Sequence, residues 1–470
     1  MAVAVDGLKT LGCKTRQLHL FRDEKIRKPA RKCLGTDKPD AHASHTQRQM
    51  LSLLSSSGLS IATAPSVQAS VTTPAMGVAS SSGVKVLPGP DRTRIGTLDV
   101  PHMGIGTIAW SPDTPEDFER YGAVARTALD EGLTFFDTAE RYGAKGTALI
   151  PAALAAIGLP VEQDYLGGDT EQRLASWAPG ANVATKFAPT PWRGDAASVV
   201  DACRGSAERL GVEGVDLMQV HMPDIIQPFR AFGLESRNEE AHWDGLAECY
   251  HSGLAKNVGV SNYGPTLLER ANEHLAKRGV PLASNQIHLN LLYRRQGSLA
   301  AVAKGTELGV KTLAYYPLAM GLLTGKLTSA QLRARDAEGK DLRARELLRY
   351  LEGGEGSLMR DFPNTAGDVP KGGVRPVLLA LHAVAARVGK TPGQVSLNWI
   401  MCKGAIPIPG ASSAQQVREN AGALGWRLSD DDVAVLDAAA DSLAFEFRGS
   451  GFQTADSKFV GYGFERWKLD

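Results

Sequence analysis

The chain has 470 residues and a formal net charge of +1, which is enough length for one large domain with extensions or for two or three domains. The near balance of charge gives no broad basic surface, so composition does not favour nucleic-acid binding. Five scattered cysteines form no CxxC pair, which argues against a disulfide framework or a zinc ribbon. We therefore expect free thiols and no metal site.

Residues 1–84 differ in composition from the rest of the chain. Lys and Arg exceed Asp and Glu over residues 1–50, and residues 51–84 are rich in Ser with no charged residue. This order is typical of an organelle transit peptide, and it favours a soluble chloroplast protein over a mitochondrial one. A disordered tail without an address is the alternative. Ser, Gly and Pro interrupt the apolar part too often for a membrane span.

From residue 93 onward, short apolar runs alternate with helical patterns. A hairpin over 98–110 leads into a first strand, and seven further strands are predicted at 133–137, 181–187, 215–221, 255–262, 281–287, 310–317 and 404–410. Continuous apolar runs of this kind are typical of parallel strands that are buried on both faces. Helical patterns follow the strands, among them 196–210, 265–276, 298–308 and 412–424.

Eight strand–helix units predict an α/β fold over residues 85–470: a (β/α)8 TIM barrel with an N-terminal β-hairpin, loop insertions and a C-terminal tail. An open doubly wound sheet is the alternative, because periodicity does not reveal ring closure. Three stretches interrupt the pattern. Residues 151–180, assigned between the second helix and the third strand, are expected to form a surface loop. Residues 224–241 and 328–375 follow strands, on the side where barrels carry their active sites.

Ionisable side chains end three successive predicted strands: Asp137, Lys186 and His221. Functional groups of a barrel collect at the carboxyl ends of its strands, so these three and the nearby Tyr142 are expected to converge. Taken singly, each has a structural explanation, such as a turn cap, a snorkelling lysine or a satisfied core histidine. Their joint placement favours a catalytic site, because Lys and Asp seldom end apolar runs without a partner.

The chemistry of this set is that of proton transfer to a carbonyl oxygen. A nearby ammonium is expected to lower the pKa of the Tyr142 phenol, and a carboxylate keeps that ammonium charged and positioned. A histidine can hold the carbonyl oxygen. Tyr142 would then act as an acid in carbonyl reduction and as a base in alcohol oxidation.

The later strand ends carry neutral polar groups suited to a nicotinamide. Ser261, Asn262 and Gln286 can hydrogen-bond a carboxamide, and Tyr315 can stack on a ring. Residues 406–426 place a glycine turn and a helix N-terminus after the last strand, where phosphate binds well. No GxGxxG follows a strand, so a dinucleotide would be held by barrel loops.

The chain resembles the aldo-keto reductase family over residues 93–440. The resemblance lies in "MGIGTIAW", "FFDTAERYG", "VATKFAP", "VDLMQVHMPD", "NVGVSNY", "NQIHLNLLYR", "LAYYPLAMGLLTGK" and "IPIPGASSAQQVRENAGALGWRL", and its overall character is similar to that of plant and algal chloroplast members. It implies a (β/α)8 barrel and a catalytic tetrad of Asp137, Tyr142, Lys186 and His221. The cofactor-binding residues that it implies are Gly106, Thr107, Ser261, Asn262, Gln286, Tyr315, Pro317, Leu318, Pro409, Gly410, Ser412, Gln416, Glu419 and Asn420.

Three departures from the family pattern matter. Relatives often follow "YG" with a Ser-Glu pair before the second helix, whereas this chain continues "AKGTALIPAAL". Tyr316 stands where relatives usually have Ser. Ser412 stands where relatives tend to carry a basic side chain suited to a 2′-phosphate, and Arg418 is one helical turn away. NADP(H) is therefore favoured and NAD(H) is possible.

These features together predict an NAD(P)H-dependent oxidoreductase that reduces aldehydes or ketones, with Tyr142 as proton donor. A regulatory barrel that binds nicotinamide without turnover is one alternative, and an alcohol or sugar dehydrogenase using the same residues is another. The substrate is expected to be a small carbonyl compound, with Trp110, Met222 and Trp243 lining its pocket. Neither a nucleic acid nor a membrane partner is expected, and the oligomeric state is open.

Overall fold

A computed structural model of the chain describes residues 84–110, 114–143, 168–190, 192–224, 238–294, 297–354, 369–443 and 445. The predicted transit peptide falls almost wholly in residues 1–83, outside the described residues, and stays a prediction. The described chain begins with a short strand, β1 (Lys85–Val86), and an antiparallel hairpin, β2 (Arg92–Ile95) and β3 (Leu98–Pro101).

Eight parallel strands follow in chain order, and each is hydrogen-bonded to the next. They are β4 (Ile105–Gly106), β5 (Phe135–Asp137), β6 (Asn182–Phe187), β7 (Leu217–Val220), β8 (Val258–Ser261), β9 (Leu282–His288), β10 (Lys311–Tyr315) and β11 (Ile406–Pro407). Their interior side chains share one buried cluster with Ile95 and Val100 of the hairpin, so the hairpin closes the amino-terminal end of the barrel.

The ring closes between the first and last of these strands. The Gly104 amide donates to the Pro407 carbonyl at 3.0 Å, and the Gly106 amide donates to the Pro409 carbonyl at 3.1 Å. A Cβ on Gly106 would lie 2.9 Å from the Ile408 carbonyl oxygen, so this close approach requires glycine. Closure excludes the open doubly wound sheet and confirms the predicted barrel.

Helices connect the strands and cover the outside of the ring. Their bounds match the predicted patterns at 196–210, 265–276 and 298–308, and side-chain caps such as Thr114 and Asp195 fix several of their starts. They are α1 (Pro115–Asp130), α2 (Asp169–Trp177), α3 (Ala196–Leu210), α4 (Glu239–His251), α5 (Pro265–Ala276), α6 (Ser298–Leu308), a 3₁₀ helix (Ala319–Thr324), α7 (Ser329–Arg335), α8 (Leu342–Glu352), α9 (Arg375–Val388), α10 (Pro392–Cys402), α11 (Ala414–Ala421) and α12 (Asp430–Asp441), with a last strand, β12 (Trp426–Arg427), that pairs with β1.

The prediction of a surface loop over 151–180 is wrong for its second half, because helix α2 lies there. Its buried face includes Thr170, Glu171, Leu174 and Trp177, and two polar members of that face made the segment look like a loop. Residues 144–167, which lie outside the described residues, therefore follow strand β5 and precede the second helix.

The other two interrupted stretches are described in part. Residues 328–375 begin with α7 and α8, as their charged helical pattern predicts, and Leu332, Leu347 and Tyr350 join the core beside α9. Residues 225–237 and 355–368 lie outside the described residues. Within the described ranges, no helix is long and apolar enough to cross a membrane, and no cluster of three or more potential metal ligands is present.

Candidate active site

The centre of the site is a buried ion pair between neighbouring strand ends. Lys186 is fully buried on β6, and its Nζ donates to Asp137 Oδ2 and to the Thr138 carbonyl, both at 2.7 Å. Burying a charge is costly without a partner, and here both members of the pair have one. The parallel pairing of β5 with β6 holds the two strand ends side by side.

Tyr142 and His221 stand over this pair. Tyr142 sits in the turn after β5, where its amide donates to the Ala139 carbonyl at 2.9 Å. Its hydroxyl lies 3.5 Å from Lys186 Nζ, and its ring centre lies 6.0 Å from that of His221, in an edge-on arrangement. Both rings are partly exposed above the buried pair. The structure therefore brings all four members of the expected tetrad together.

The protonation states of the site differ from the expectation that Lys186 lowers the pKa of Tyr142. Burial, followed by the charge of Asp137, raises the pKa of the Tyr142 phenol well above its ordinary value. Burial lowers the pKa of Lys186, although Asp137 opposes that shift. Burial and the charges of Lys186 and Arg141 lower the pKa of His221 well below its ordinary value. At neutral pH the site thus presents a protonated phenol and a neutral imidazole.

Gln286, expected to contact a nicotinamide, also bonds to the charged pair. Its side-chain Nε2 donates to Asp137 Oδ1 at 2.7 Å, so the carboxylate is held on one oxygen by Gln286 and on the other by Lys186. The backbone carbonyl of Gln286 accepts a hydrogen bond from Ser261 Oγ at 2.8 Å. Gln286 therefore joins the charged pair to the neutral strand ends that follow it around the ring.

Asn262 forms the centre of the neutral side of the site. Its φ of 64° lies in the left-handed region, which is uncommon for a residue with a Cβ and typical of functional sites. Its Nδ2 donates to the His221 carbonyl at 3.0 Å and to Ser261 Oγ at 3.1 Å, and its Oδ1 accepts from the Tyr315 hydroxyl at 2.8 Å. Asn262 thus fixes the backbone of His221 and the ring of Tyr315.

The chain after β10 has an unusual backbone. Tyr316, Ala319 and Met320 all have positive φ values, of 50°, 47° and 53°. Asn290 Nδ2 donates to the Tyr316 carbonyl at 2.9 Å and so holds the first of these residues in place. The Tyr316 ring packs edge-on against Tyr315, with ring centres 5.4 Å apart. The expected cofactor residues Pro317 and Leu318 lie within this strained segment.

The remaining expected cofactor residues lie where the ring closes and in α11. Thr107 Oγ1 donates to the Asp137 carbonyl at 2.9 Å, and Gly106 pairs with Gly410 beside Pro409. The Ser412 amide donates to Gln416 Oε1 at 2.7 Å. Three residues of α11 complete this region: Glu419, which is ion-paired with Lys326, buried Asn420, and Arg418, whose guanidinium lies 3.4 Å from the Glu131 carboxylate.

These residues fit a nicotinamide dinucleotide. The partly exposed rings of Tyr315 and Tyr316 flank the strand ends of β8 to β10, where polar amides are available. No described atom other than the Gly106 carbonyl oxygen lies within 4 Å of the position of a Cβ on Gly410, which leaves room for a close approach. Ser413 caps α11, whose N-terminal amides suit a phosphate.

The structure places two of the three expected substrate residues in the core. Trp110 is fully buried, stacks on Tyr121 and donates from Nε1 to the Ala411 carbonyl at 2.9 Å. Trp243 is buried in α4 and donates to the Tyr263 hydroxyl at 3.0 Å. A sequence does not distinguish a tryptophan that packs inward from one that lines a pocket, because both follow apolar runs. Met222, the third, is also buried, directly after His221.

Two exposed apolar side chains lie in segments that follow barrel strands, at the same end of the barrel. Ile108, two residues after β4, is 54% exposed, and Trp192, in the segment between β6 and α3, is 37% exposed. Both follow barrel strands, where substrate loops lie. Sequence reasoning missed them, although their position after a strand was a usable signal.

A second buried carboxylate, Glu171, was also missed. It is fully buried at the start of α2, where it accepts from Thr185 Oγ1 and from Arg209 Nε, the latter at 2.6 Å. The preceding Thr170 donates its amide to the Tyr142 carbonyl at 3.5 Å. A Thr-Glu pair thus begins the second helix, where the resemblance leads one to expect Ser-Glu. The departure after "YG" is therefore an insertion that ends before this pair.

Glu140 forms a third paired carboxylate, two residues before Tyr142. Arg193 reaches its two oxygens at 2.6 Å and 3.0 Å, and the Ala188 amide donates to it at 2.6 Å. The Arg193 guanidinium also lies over the Phe187 ring, 4.4 Å from its centre. This arrangement fastens the turn that carries Tyr142 to the loop that follows β6.

Two curated proteins are similar to this chain over most of its length. The chain is 34% identical over 369 residues to a chloroplastic pyridoxal reductase of Arabidopsis thaliana, covering 77% of this chain and 89% of that protein. It is 30% identical over 368 residues to an aldo-keto reductase of Strobilurus tenacellus, covering 76% of this chain and 93% of that protein.

A solved glycerol dehydrogenase of Gluconobacter oxydans shares the fold, with a TM-score of 0.53 and 22% identity over 78% of this chain and 99% of its own. The model of the aldo/keto reductase family matches residues 102–441. That match spans all eight barrel strands, β4 to β11, together with the four residues of the expected tetrad, and the chain therefore belongs to the aldo/keto reductase family.

Proposed function

We propose that this oxidoreductase uses NADP(H) to reduce an aldehyde or ketone to an alcohol, with Tyr142 as the proton donor. The observation that carries the proposal is the position of the Tyr142 hydroxyl, 3.5 Å from the ammonium of a fully buried lysine and beside His221. A non-catalytic barrel has no use for a buried charge pair beneath a phenol, because burying that pair is costly.

The side chains divide the work of proton transfer. Tyr142 holds the proton, and its raised pKa keeps the phenol in the acid form at neutral pH. The neutral imidazole of His221 can donate a hydrogen bond to the carbonyl oxygen and fix its position. Lys186 stabilises the negative charge that forms on Tyr142 when the proton leaves, and Asp137 and Gln286 hold Lys186 in place.

The cofactor would lie against the strand ends of β8 to β10, with its phosphates toward α11. When bound, the reduced nicotinamide supplies a hydride to the carbonyl carbon. Tyr315 and Asn262 would orient the nicotinamide ring, and Ser412 and Gln416 would contact the adenosine end of the cofactor. NADP(H) is the preferred form in this proposal. NAD(H) remains the alternative, because a 2′-phosphate would find no free cation at these two described positions: Arg418 is directed to Glu131, and Ser412 carries no charge.

The relatives suggest a substrate and a location. The Arabidopsis relative is named for pyridoxal reduction and for the chloroplast, so pyridoxal is the first carbonyl to test and a plastid is the proposed location. An alcohol or sugar dehydrogenase is the second candidate, since the same groups work in reverse. The protonated state of Tyr142 favours reduction, because a base for oxidation would have to lose that proton first.

The test begins with fluorescence titration of NADPH and NADH into the chain from Lys85 onward, followed by addition of pyridoxal and other small carbonyls. We expect carbonyl-dependent oxidation of the cofactor. Tyr142→Phe should keep cofactor affinity within about twofold and lose turnover by about 10²- to 10⁴-fold, the usual range for a general acid. Cofactor binding without turnover in either direction would support the regulatory barrel, and full turnover by the Phe variant would remove Tyr142 from its role.

A further inference from the structure

Arg141 is a cation of the site that the catalytic scheme does not use. It lies in the turn between Glu140 and Tyr142 and is partly exposed. Its charge is close enough to His221 to lower the pKa of that imidazole. Within the part of the chain that the structure describes, its guanidinium has no ion pair or hydrogen bond. A partly buried guanidinium without a partner is uncommon, because the charge loses water and gains nothing in return.

The neighbouring acid does not neutralise Arg141. Both oxygens of Glu140 are occupied by Arg193, and one of them also accepts from the Ala188 amide. The charges that act on Arg141 are those of Glu140, which favours its cationic form, and Arg193, which opposes it. The Asp137–Lys186 and Glu140–Arg193 pairs each sum to zero, so among the described residues of these pairs and this turn Arg141 adds one positive charge that no partner neutralises.

We propose that Arg141 binds an oxyanion, a carboxylate or a phosphate, carried by the carbonyl substrate. This inference rests on the proposed reductase function and narrows its substrate class. An arginine fork recognises both oxyanions through paired N–H donors. Arg141 is next to the proton donor in sequence, so an anion held there places the rest of the molecule near Tyr142.

The test compares matched substrates that differ in charge. One pair is 4-carboxybenzaldehyde and its neutral methyl ester, and the other is pyridoxal 5′-phosphate and pyridoxal. We expect the wild-type chain to have a higher kcat/KM for the anionic member of at least one pair, and the preferred pair identifies the oxyanion. Arg141→Leu should lower the anionic-to-neutral ratio of that pair by about ten- to a hundredfold, mainly through KM, as the loss of a charge-assisted hydrogen bond predicts.

Arg94→Leu is the matched control, because Arg94 is an exposed arginine of the hairpin at the opposite end of the barrel. It removes the same net charge and should leave the ratio within about twofold, which separates local binding from long-range attraction. Arg141→Lys keeps the charge without the fork and should retain part of the preference. This variant also gives a result if the Leu variant does not fold.

Three results would overturn the inference while leaving the reductase function standing. One is a wild-type chain that prefers neither anion, and another is an Arg141→Leu variant that loses both members of a pair equally. The third is a loss of NADPH affinity in that variant with an unchanged substrate ratio, which would assign Arg141 to a cofactor phosphate. If no member of either pair oxidises NADPH, the proposed function itself fails.

Discussion

The two sides of the barrel mouth are built from different kinds of groups. Around β5 and β6, three buried carboxylates each meet a cation at 2.6 or 2.7 Å: Asp137 with Lys186, Glu140 with Arg193, and Glu171 with Arg209. At the ends of β8 to β10, the described side chains Asn262, Gln286 and Tyr315 are neutral amides and a phenol. The Tyr315 hydroxyl donates to Asn262 Oδ1, and Gln286 Nε2 donates to Asp137 Oδ1. There the backbone also adopts left-handed conformations at Asn262 and after β10.

The two sides hold their side chains in position by different interactions. In the charged side, geometry is held by pairs whose members are costly to bury alone, so removing one member should damage both stability and chemistry. In the neutral side, geometry is held by many weaker bonds and by backbone conformation. Single substitutions there should have smaller effects, confined to cofactor binding.

The largest effect is expected from Lys186→Met, which removes the cation and leaves Asp137 buried with only Gln286 and no opposite charge. We expect turnover to fall by about a thousandfold, because the charge that stabilises the tyrosinate is gone. We also expect a loss of about 3–5 kcal/mol in the free energy of unfolding, since an uncompensated buried charge remains. Steady-state kinetics and urea unfolding measure the two losses.

The control for that variant is Lys256→Met, which breaks an exposed Lys–Asp pair of similar length. Lys256 Nζ lies 2.8 Å from Asp216, and its side chain is 60% exposed. Exposed pairs contribute about 0–1 kcal/mol, so both stability and turnover should stay near wild type. Equal losses in the two variants would mean that burial does not set the importance of the Lys186 pair.

Acid pH should destabilise the fold through His288, because the unfolded chain takes up a proton there that the folded chain does not. This imidazole is fully buried against the Tyr293 ring, and burial lowers its pKa to about 3. The unfolded chain has the ordinary value of 6.5, so the stability is full above pH 6.5 and is lost as the pH falls toward 3. At pH 5 the loss is about 2 kcal/mol.

Urea unfolding at pH 7.5 and pH 5 measures this loss, and His288→Gln should reduce the difference between the two values. His251 is the matched control, because it is exposed on α4 and its Nε2 donates to the Arg278 backbone carbonyl at 2.9 Å. His251→Gln should leave the pH dependence unchanged. A pH dependence in His288→Gln that equals the wild type would assign the acid sensitivity to other groups, such as His221 and His242.

A smaller effect is expected from Asn262→Ala, which tests how far weak bonds hold the neutral side. The substitution removes the bonds to the His221 carbonyl and to the Tyr315 hydroxyl and keeps the left-handed backbone, which alanine tolerates less well. We expect the NADPH dissociation constant to rise about tenfold, as the loss of one or two neutral hydrogen bonds predicts. Asn262→Gly restores the backbone freedom and should fold more stably than the Ala variant.

The barrel and the meeting of the tetrad could be predicted because both follow from chain order. Parallel strands bring their carboxyl ends to one edge, so Asp137, Lys186 and His221 had to approach each other once the ring was assumed. Chain order does not show whether the ring of strands closes. Closure depends on the amides of Gly104 and Gly106 reaching the carbonyls of Pro407 and Pro409. Periodicity does not report such a contact.

Burial and charge environment account for what sequence reasoning missed. Trp110 and Trp243 were expected in the pocket because they follow the first and fourth strands along the chain, and both are buried. A sequence does not show whether such a ring points inward or outward. Helix α2 was taken for a loop because its buried face carries Thr170 and Glu171. The pKa of Tyr142 moved opposite to expectation because burial and Asp137 outweigh the ammonium at 3.5 Å, a balance that only distances can decide.

The smallest predicted effect concerns Ser412, which lies between β11 and α11 at the proposed position of the cofactor's 2′-phosphate. Ser412 is exposed, and its amide is tied to Gln416 at the start of α11. Ser412→Arg adds a fork that can pair with a 2′-phosphate, so NADPH should bind about fivefold more tightly relative to NADH. Gln415→Arg adds the same charge on an exposed position three residues along the chain and should change the ratio less. Equal shifts in both variants would mean that general attraction of a phosphate, and not a site at Ser412, sets the preference.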